Sequence, residues 1–216
     1  REKSGICKNN SWTERLLRQI FGIKPCLLRK GEIVTYVDPD DYTQDLLGNL
    51  VYSKNADLMI EFGQMYYKYI FTQNSLTFKV ANYKPDETYT DDIFNNGPMY
   101  ISAYNIFGDD NIASIANNNI NNSNGLDIAT VKSKLSSGYS VMTYEKNCYL
   151  LSLACLFTKS FDPLYIIGKG PSDSITGLLD KKGLFYFGSS GTKFLGLENF
   201  WEYYTYLDGV ASAKNS

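Results

Sequence analysis

Among 216 residues there is no histidine, and that zero decides most of the chemistry open to the chain. A Ser-His or Cys-His nucleophile pair needs imidazole as its base, and most catalytic zinc and non-haem iron sites use imidazole ligands. Carboxylate and lysine chemistry remain. Paired acids can hydrolyse glycosides, and the candidates are Glu87, Asp91, Asp92, Asp109, Asp110 and Glu198. Most of them fall at turn or cap positions, where solvated acids are the rule. Ser136 and Ser137 beside Lys134 have the residue types of a Ser-Lys nucleophile, but adjacency at a helix end reads as a solvated terminus. The four cysteines, Cys7, Cys26, Cys148 and Cys155, lie too far apart for a disulfide framework and lack CxxC spacing, so free thiols and no zinc site are expected. An oxidised Cys148–Cys155 or Cys7–Cys26 pair would instead mark a secreted recognition domain.

Phe107-Gly108-Asp109-Asp110 contains the Gly-Asp-Asp triplet of viral RNA polymerase metal sites. That chemistry needs further carboxylates and a glycine- and serine-rich nucleotide-selecting segment upstream, and neither is found. Here the triplet closes one helical pattern and caps the next. Charge points away from nucleic acid as well: 21 basic against 23 acidic side chains give a net charge of −2, with basic residues clustered only around Arg15, Arg18, Lys24, Arg29 and Lys30. No apolar run reaches the roughly 20 residues that span a bilayer; the longest candidate, Tyr149 to Phe157, is interrupted by Ser152. The 44% hydrophobic content supplies a core and the 15% aromatic content argues against disorder. The opening Arg1 is read as a sign of a processed or fragmentary chain.

Several elements can be placed from pattern. Ser11 with Glu14 forms a capping box, Trp12, Leu16, Leu17 and Ile20 a helical stripe, and Gly22 its stop. Lys24-Pro25 enforces an extended exit, Glu32 to Val37 reads as a strand, and Asp38 to Asp41 as a turn. Met65 to Phe71 and Leu76 to Val80 read as a hairpin closed by the four residues Thr72 to Ser75. The polar stretch Asn82 to Asp92 reads as a linker, dividing an N-terminal extension, 1–90, from a second domain, 91–216. In that domain Met99, Ile101, Ala103, Ile106 and Phe107 suggest a helix, followed by a short helix near Ile112 to Ala116 and another from Ile128 to Leu135. Strands are expected at Tyr139 to Tyr144, Leu164 to Ile167 and Gly183 to Phe187, with a turn at Gly188 to Gly191 and a last helix from Leu197 to Leu207. The order is that of an α+β protein.

Asn96-Gly97-Pro98 with the helix expected after it, the Ile128 to Val141 segment, the two strands at 164 and 183, and the closing Leu197-Glu198-Asn199-Phe200-Trp201 together resemble C39-like members of the papain-like cysteine peptidase superfamily. The resemblance covers roughly Ile93 to Leu207. It implies a central helix against an antiparallel sheet, with the nucleophile position at Asn96, the base position at Leu164 and the acidic partner near Ser189. An asparagine amide forms no thiolate and leucine takes no proton, so the resemblance implies a scaffold stripped of its catalytic residues.

Eighteen tyrosines are the other notable excess. Tyr66, Tyr67 and Tyr69 in the hairpin and Trp201, Tyr203 and Tyr204 near the C-terminus are candidate interface aromatics; a tyrosine-rich core is the competing reading. The expectation is a non-enzymatic α+β binding or assembly module without cofactor, bound to protein partners in a larger complex. A virus or phage particle from an A/T-rich genome is the expected setting, and a carboxylate-dependent glycan hydrolase is the alternative.

Overall fold

In a computed structural model, residues 13–51, 56–90, 97–104, 114–116, 128–135, 137–168 and 176–200 are described. The chain enters through α1 (Glu14–Phe21). Its N-cap is Thr13, whose hydroxyl accepts from the Leu16 N–H at 3.3 Å, rather than Ser11, which lies outside the described residues. Gly22 ends the helix in the left-handed conformation, as the sequence predicts. Leu17 and Phe21 bury one side of α1, and the N–H of Gly63 donates to the Phe21 carbonyl at 2.7 Å.

A four-stranded antiparallel sheet follows, in the order β2-β1-β3-β6, from β1 (Lys24–Arg29), β2 (Glu32–Tyr36), β3 (Asp57–Phe62) and β6 (Met99–Ser102). Neither β1 nor β3 is marked by strand alternation in the sequence. Both are buried on two sides, eBBBBe and iBBBBB, and a strand covered on both faces loses its period-two pattern. The expected helix at Met99 is the strand β6. Met99 and Ile101 occupy one face and Tyr100 and Ser102 the other, opposite Phe62, Ile60, Glu61 and Met59; the spacing 99, 101, 103 is a strand period. Because β3 and β6 pair, the sheet crosses the boundary expected between residues 90 and 91.

The two faces separate by register. Leu27, Leu58, Ile60, Phe62 and Ile101 point into the main core, together with Leu17 and Phe21 of α1, Tyr149, Leu150, Leu153 and Ala154, and Leu184, Phe194 and Leu197. Cys26, Leu28 and Met59 cover the other face under Tyr36, Tyr100 and Tyr139.

The hairpin β4 (Tyr66–Thr72) and β5 (Ser75–Ala81) forms as expected, but Thr72 pairs with Ser75, so its loop is the two residues Gln73 and Asn74. It leans on α3 (Tyr144–Thr158), the longest helix among the described residues; the strand expected at Tyr139 to Tyr144 does not form, because 139–143 run as an irregular connection and Tyr144 opens α3. Thr143 caps α3 by accepting from the Lys146 N–H at 3.3 Å. Apolar side chains run all round α3, the pattern of a buried helix that shows no stripe. The α2 helix (Ile128–Lys134) agrees with its expected position.

Leu164 to Ile167, expected as a strand, belongs to α4 (Pro163–Ile167). Asp162 accepts from the Tyr165 N–H at 3.3 Å and Pro163 stands in the first turn, a start signal that overrides the β preference of Ile166 and Ile167. The expected strand at 183–187 is displaced to β7 (Tyr186–Gly188), which turns through Ser189 and Ser190 into β8 (Gly191–Phe194). A second tight turn, with Leu195 at φ 53° and Gly196 at φ 84°, leads into β9 (Leu197–Glu198). Positive φ at both central residues is the type I′ geometry of two-residue hairpins, so the helix expected from Leu197 starts instead as a strand. The observed class is α+β with antiparallel sheets.

Candidate functional site

The outer face of the four-stranded sheet and the segment joining α2 to α3 enclose a cleft of about 440 Å³. Its floor comes from Leu28, Met59 and Tyr100, and its far wall from Leu135, Tyr139, Val141, Met142 and Lys146. The strand alternation that sends Ile60 and Ile101 into the core sends Met59 and Tyr100 here. Asp57 is the carboxylate of the cleft, and both its oxygens are engaged: Oδ1 accepts from the Ser114 N–H at 2.7 Å and Oδ2 from the Tyr139 hydroxyl at 2.9 Å. Tyr139 thereby has its phenol held well above the usual tyrosine range, by burial first and then by the bond to Asp57. Further along the same face, Glu61 accepts from the Tyr36 hydroxyl at 2.9 Å and pairs with Lys24 at 3.5 Å. Cys26 lies among these side chains with no exposure, and burial, with Glu61 nearby, pushes its thiol up to about 12. An unionised thiol is neither nucleophile nor metal ligand.

Among the described residues a cluster of buried charged groups lies elsewhere, and it is closed. In the β8–β9 hairpin Lys193 stands directly opposite Glu198, and cross-strand partners share a face. Both reach the turn at 177–180. Lys193 Nζ donates to the Leu179 carbonyl at 3.0 Å, while Glu198 accepts from the N–H groups of Gly177 and Leu179 at 3.0 and 3.3 Å. The Tyr42 ring lies 3.4 Å from Lys193 Nζ. Asp180, the next residue of the turn, accepts from the Tyr104 hydroxyl at 2.5 Å. Exposure is 0% for Lys193, 3% for Glu198 and 8% for Asp180. Burial opposes each charged form: it lowers the Lys193 ammonium to about 8, raises Glu198 to about 7 against the two N–H bonds that favour its anion, and raises Asp180.

Of the residues singled out from sequence, Asn96 lies outside the described residues, Leu164 is a half-buried residue of α4, and Ser189 is exposed in the β7–β8 turn. Two segments that carry the peptidase resemblance thus have the opposite secondary structure to the one it implies, a strand at 99–102 and a helix at 163–167. Trp201, Tyr203, Tyr204, Asp91, Asp92, Asp109, Asp110 and Cys7 also lie outside the described residues. Tyr66 and Tyr67 are half-buried, and Tyr67 packs 6.2 Å from the Tyr149 ring. Tyr69 shares a hydrogen bond with Ser152 of α3 at 2.7 Å and stays 38% exposed. Phe71, at the tip, is 75% exposed. Glu87 is a solvated acid paired with Lys84 at 3.2 Å. Glu198, expected in a closing helix, is instead a buried residue of β9, because the hairpin turns it into the core. Cys26, Cys148 and Cys155 are free thiols.

Sequence reading overlooked Lys193 and Asp180. Gly-Thr-Lys-Phe reads as an ordinary half-solvated strand, and only the two tight turns and the 177–180 turn bring these charges together. Among the described residues no group of three or more Cys, Asp and Glu side chains is placed to hold a metal ion, and no helix is long and apolar enough to cross a membrane. No family model, curated protein or solved structure matches the chain.

Proposed function

We propose that the chain is a non-enzymatic binding module that takes an apolar or aromatic segment of a protein partner into the cleft between the sheet and the α2–α3 connection. The observation that carries this reading is a division of labour. The open cleft offers apolar and aromatic area with a single carboxylate already doubly bonded, whereas the buried lysine and carboxyl groups Lys193, Asp180 and Glu198 sit in a closed core. Surfaces of this kind, apolar with a few fixed polar groups, are those that bind ligands, and a reacting acid or base must reach its substrate. Assembly within a larger complex is the role that such a surface serves.

The test is selection of a random displayed peptide library on the immobilised chain, with Leu135→Lys as the cleft variant. Leu135 lines the cleft and is only half-buried, so the charge enters the groove at little cost to the core. Selected peptides rich in apolar and aromatic residues should lose at least tenfold in affinity for the variant. Peptides that bind both chains equally, or turnover of peptide or glycan substrates by the chain, overturn the reading.

A further inference from the structure

We propose that the cleft takes the Leu46-Leu47 tip of a second copy of this chain, so that copies join tip to cleft. The proposal rests on the binding reading above and names the occupant. The tip belongs to a short hairpin over residues 43–51, in which Gln44 bridges Leu50 and the Val51 N–H donates to the Thr43 carbonyl at 2.8 Å. Its turn runs Asp45-Leu46-Leu47-Gly48. The Gly48 N–H donates to the Asp45 carbonyl at 3.0 Å, and Asp at the first position with Gly at the fourth is what a type I turn favours. Asp45 Oδ1 accepts from the N–H groups of Leu47 and Asn49 at 2.8 and 2.9 Å, and the Asn49 side-chain amide donates to Oδ2 at 3.0 Å. The root is fixed where the Asp38 N–H donates to the Gln44 carbonyl at 2.8 Å. Turn chemistry therefore accounts for Asp45, Gly48 and Asn49. It does not account for the two leucines between them, which stand in solvent at 63% and 87% exposure.

The cleft matches this tip in size, polarity and charge. The eight carbons of two leucine side chains, at about 30 Å³ each, the volume of one water, fill roughly 240 Å³, and the cleft's 440 Å³ leaves space for the turn backbone. Leu28, Met59 and Tyr100 on the floor and Leu135 on the wall supply apolar contact. Lys146 on the same wall has no ion pair among the described residues, and neither does Asp45 beside the leucines. Docking brings these two opposite charges to one rim, the kind of complementarity that fixes register and excludes wrong partners. In its own chain the tip stands elsewhere: none of residues 43–51 lines the cleft, and Leu46 borders a separate hollow with Arg18, Tyr36 and Pro39. A protrusion and a pocket at different places on one chain make a head-to-tail contact, which closes into rings or continues as filaments. Because the backbone of the tip is already held by Asp45 and Asn49, docking immobilises little more than the two leucine side chains.

The experiment is analytical ultracentrifugation of the full chain over roughly 1 μM to 1 mM, as wild type, Leu47→Lys, Leu135→Lys and Phe161→Lys. Circular dichroism and a cooperative urea transition establish that each chain is folded. The expected result is a wild-type mass that rises with concentration and an association weakened at least tenfold in Leu47→Lys and in Leu135→Lys. Phe161→Lys should associate as the wild type does, since Phe161 is as exposed as Leu47, at 86%, but lies outside the hairpin. Mixed one to one, Leu47→Lys and Leu135→Lys should form a dimer and nothing larger, because the first keeps a working cleft and the second a working tip. A wild-type chain that stays monomeric yet captures displayed peptides in a Leu135-dependent way overturns this proposal alone; a chain that neither associates nor captures peptides overturns the binding reading with it. Association that survives Leu47→Lys or Leu135→Lys, an equal loss in Phe161→Lys, or two variants that fail to complement each other also overturns the proposal.

Discussion

The buried carboxyl of Glu198 gives the chain an inverted dependence of stability on pH. The folded state holds a proton on this group up to about 7, against an ordinary value of 4.5, because burial outweighs the two N–H bonds it accepts. A group whose proton is held more tightly in the folded state stabilises the fold fully below its unfolded value, and that contribution is lost as pH rises through the folded one. The window is therefore pH 4.5 to 7, and stability falls across it. At about 1.4 kcal/mol for each tenfold change in proton affinity, the loss amounts to about 3 kcal/mol. For a chain of this length it lowers Tm by about 6 to 12 °C. Asp41 is lowered instead, through its hydrogen bonds from Thr43 and its charge interaction with Lys181, and it acts below pH 4, outside the window. Urea denaturation between pH 5 and 7.5 reads the effect, and Glu198→Gln, which cannot titrate, should remove most of it, leaving the smaller fall that Asp180, also raised by burial, contributes. Wild-type stability that is constant or rising over this window, or an equal fall in Glu198→Gln, refutes the reasoning.

Two further outcomes follow from packing. Gly196→Ala should cost about 3 kcal/mol by urea denaturation, since overpacking adds to an unfavourable left-handed residue: φ is 84° and the new Cβ would stand 2.7 Å from the Tyr42 hydroxyl and 2.8 Å from Ile60 Cδ1. A cost under about 1 kcal/mol would show that the hairpin yields. Cys26, buried and with its thiol pushed up to about 12, should stay unlabelled by a thiol reagent at pH 8 in the folded chain and react once urea unfolds it, as peptide mapping of the adducts reports; native labelling at Cys26 contradicts the packing of the outer face.

What the sequence made legible were features written locally. Gly22 as the end of α1, the Tyr66 to Ala81 hairpin, the α2 helix and the Ser189-Ser190 turn each depend on residues within a few positions of one another. The errors occur where burial erases the pattern. β1 and β3 are covered on both faces and α3 is apolar all round, so neither alternation nor a stripe survives to identify them. At β6 the period-two spacing of Met99, Ile101 and Ala103 is present, but taken together with Ile106 and Phe107 it suggests a helix, and at α4 the Asp162-Pro163 cap outweighs β-favouring residues. The candidate site was less legible still. The Lys193–Asp180–Glu198 cluster spans three turns, and its residues read singly as solvated charges. The cleft depends on which face of β3 and β6 turns outward, and that is fixed by pairing between strands about 40 residues apart, Met59 opposite Ser102 at one end.

The binding reading is tested most directly by nuclear magnetic resonance titration of the isotopically labelled chain with a peptide selected on it. The account predicts saturable shifts confined to the cleft, at Asp57, Met59, 99–102, 138–142 and Lys146, with the amides of 177–180 and 191–199 unmoved and the shifts abolished in Leu135→Lys. Shifts centred instead on the closed core around Lys193, or on the exposed tip at Phe71 with the cleft silent, would contradict it.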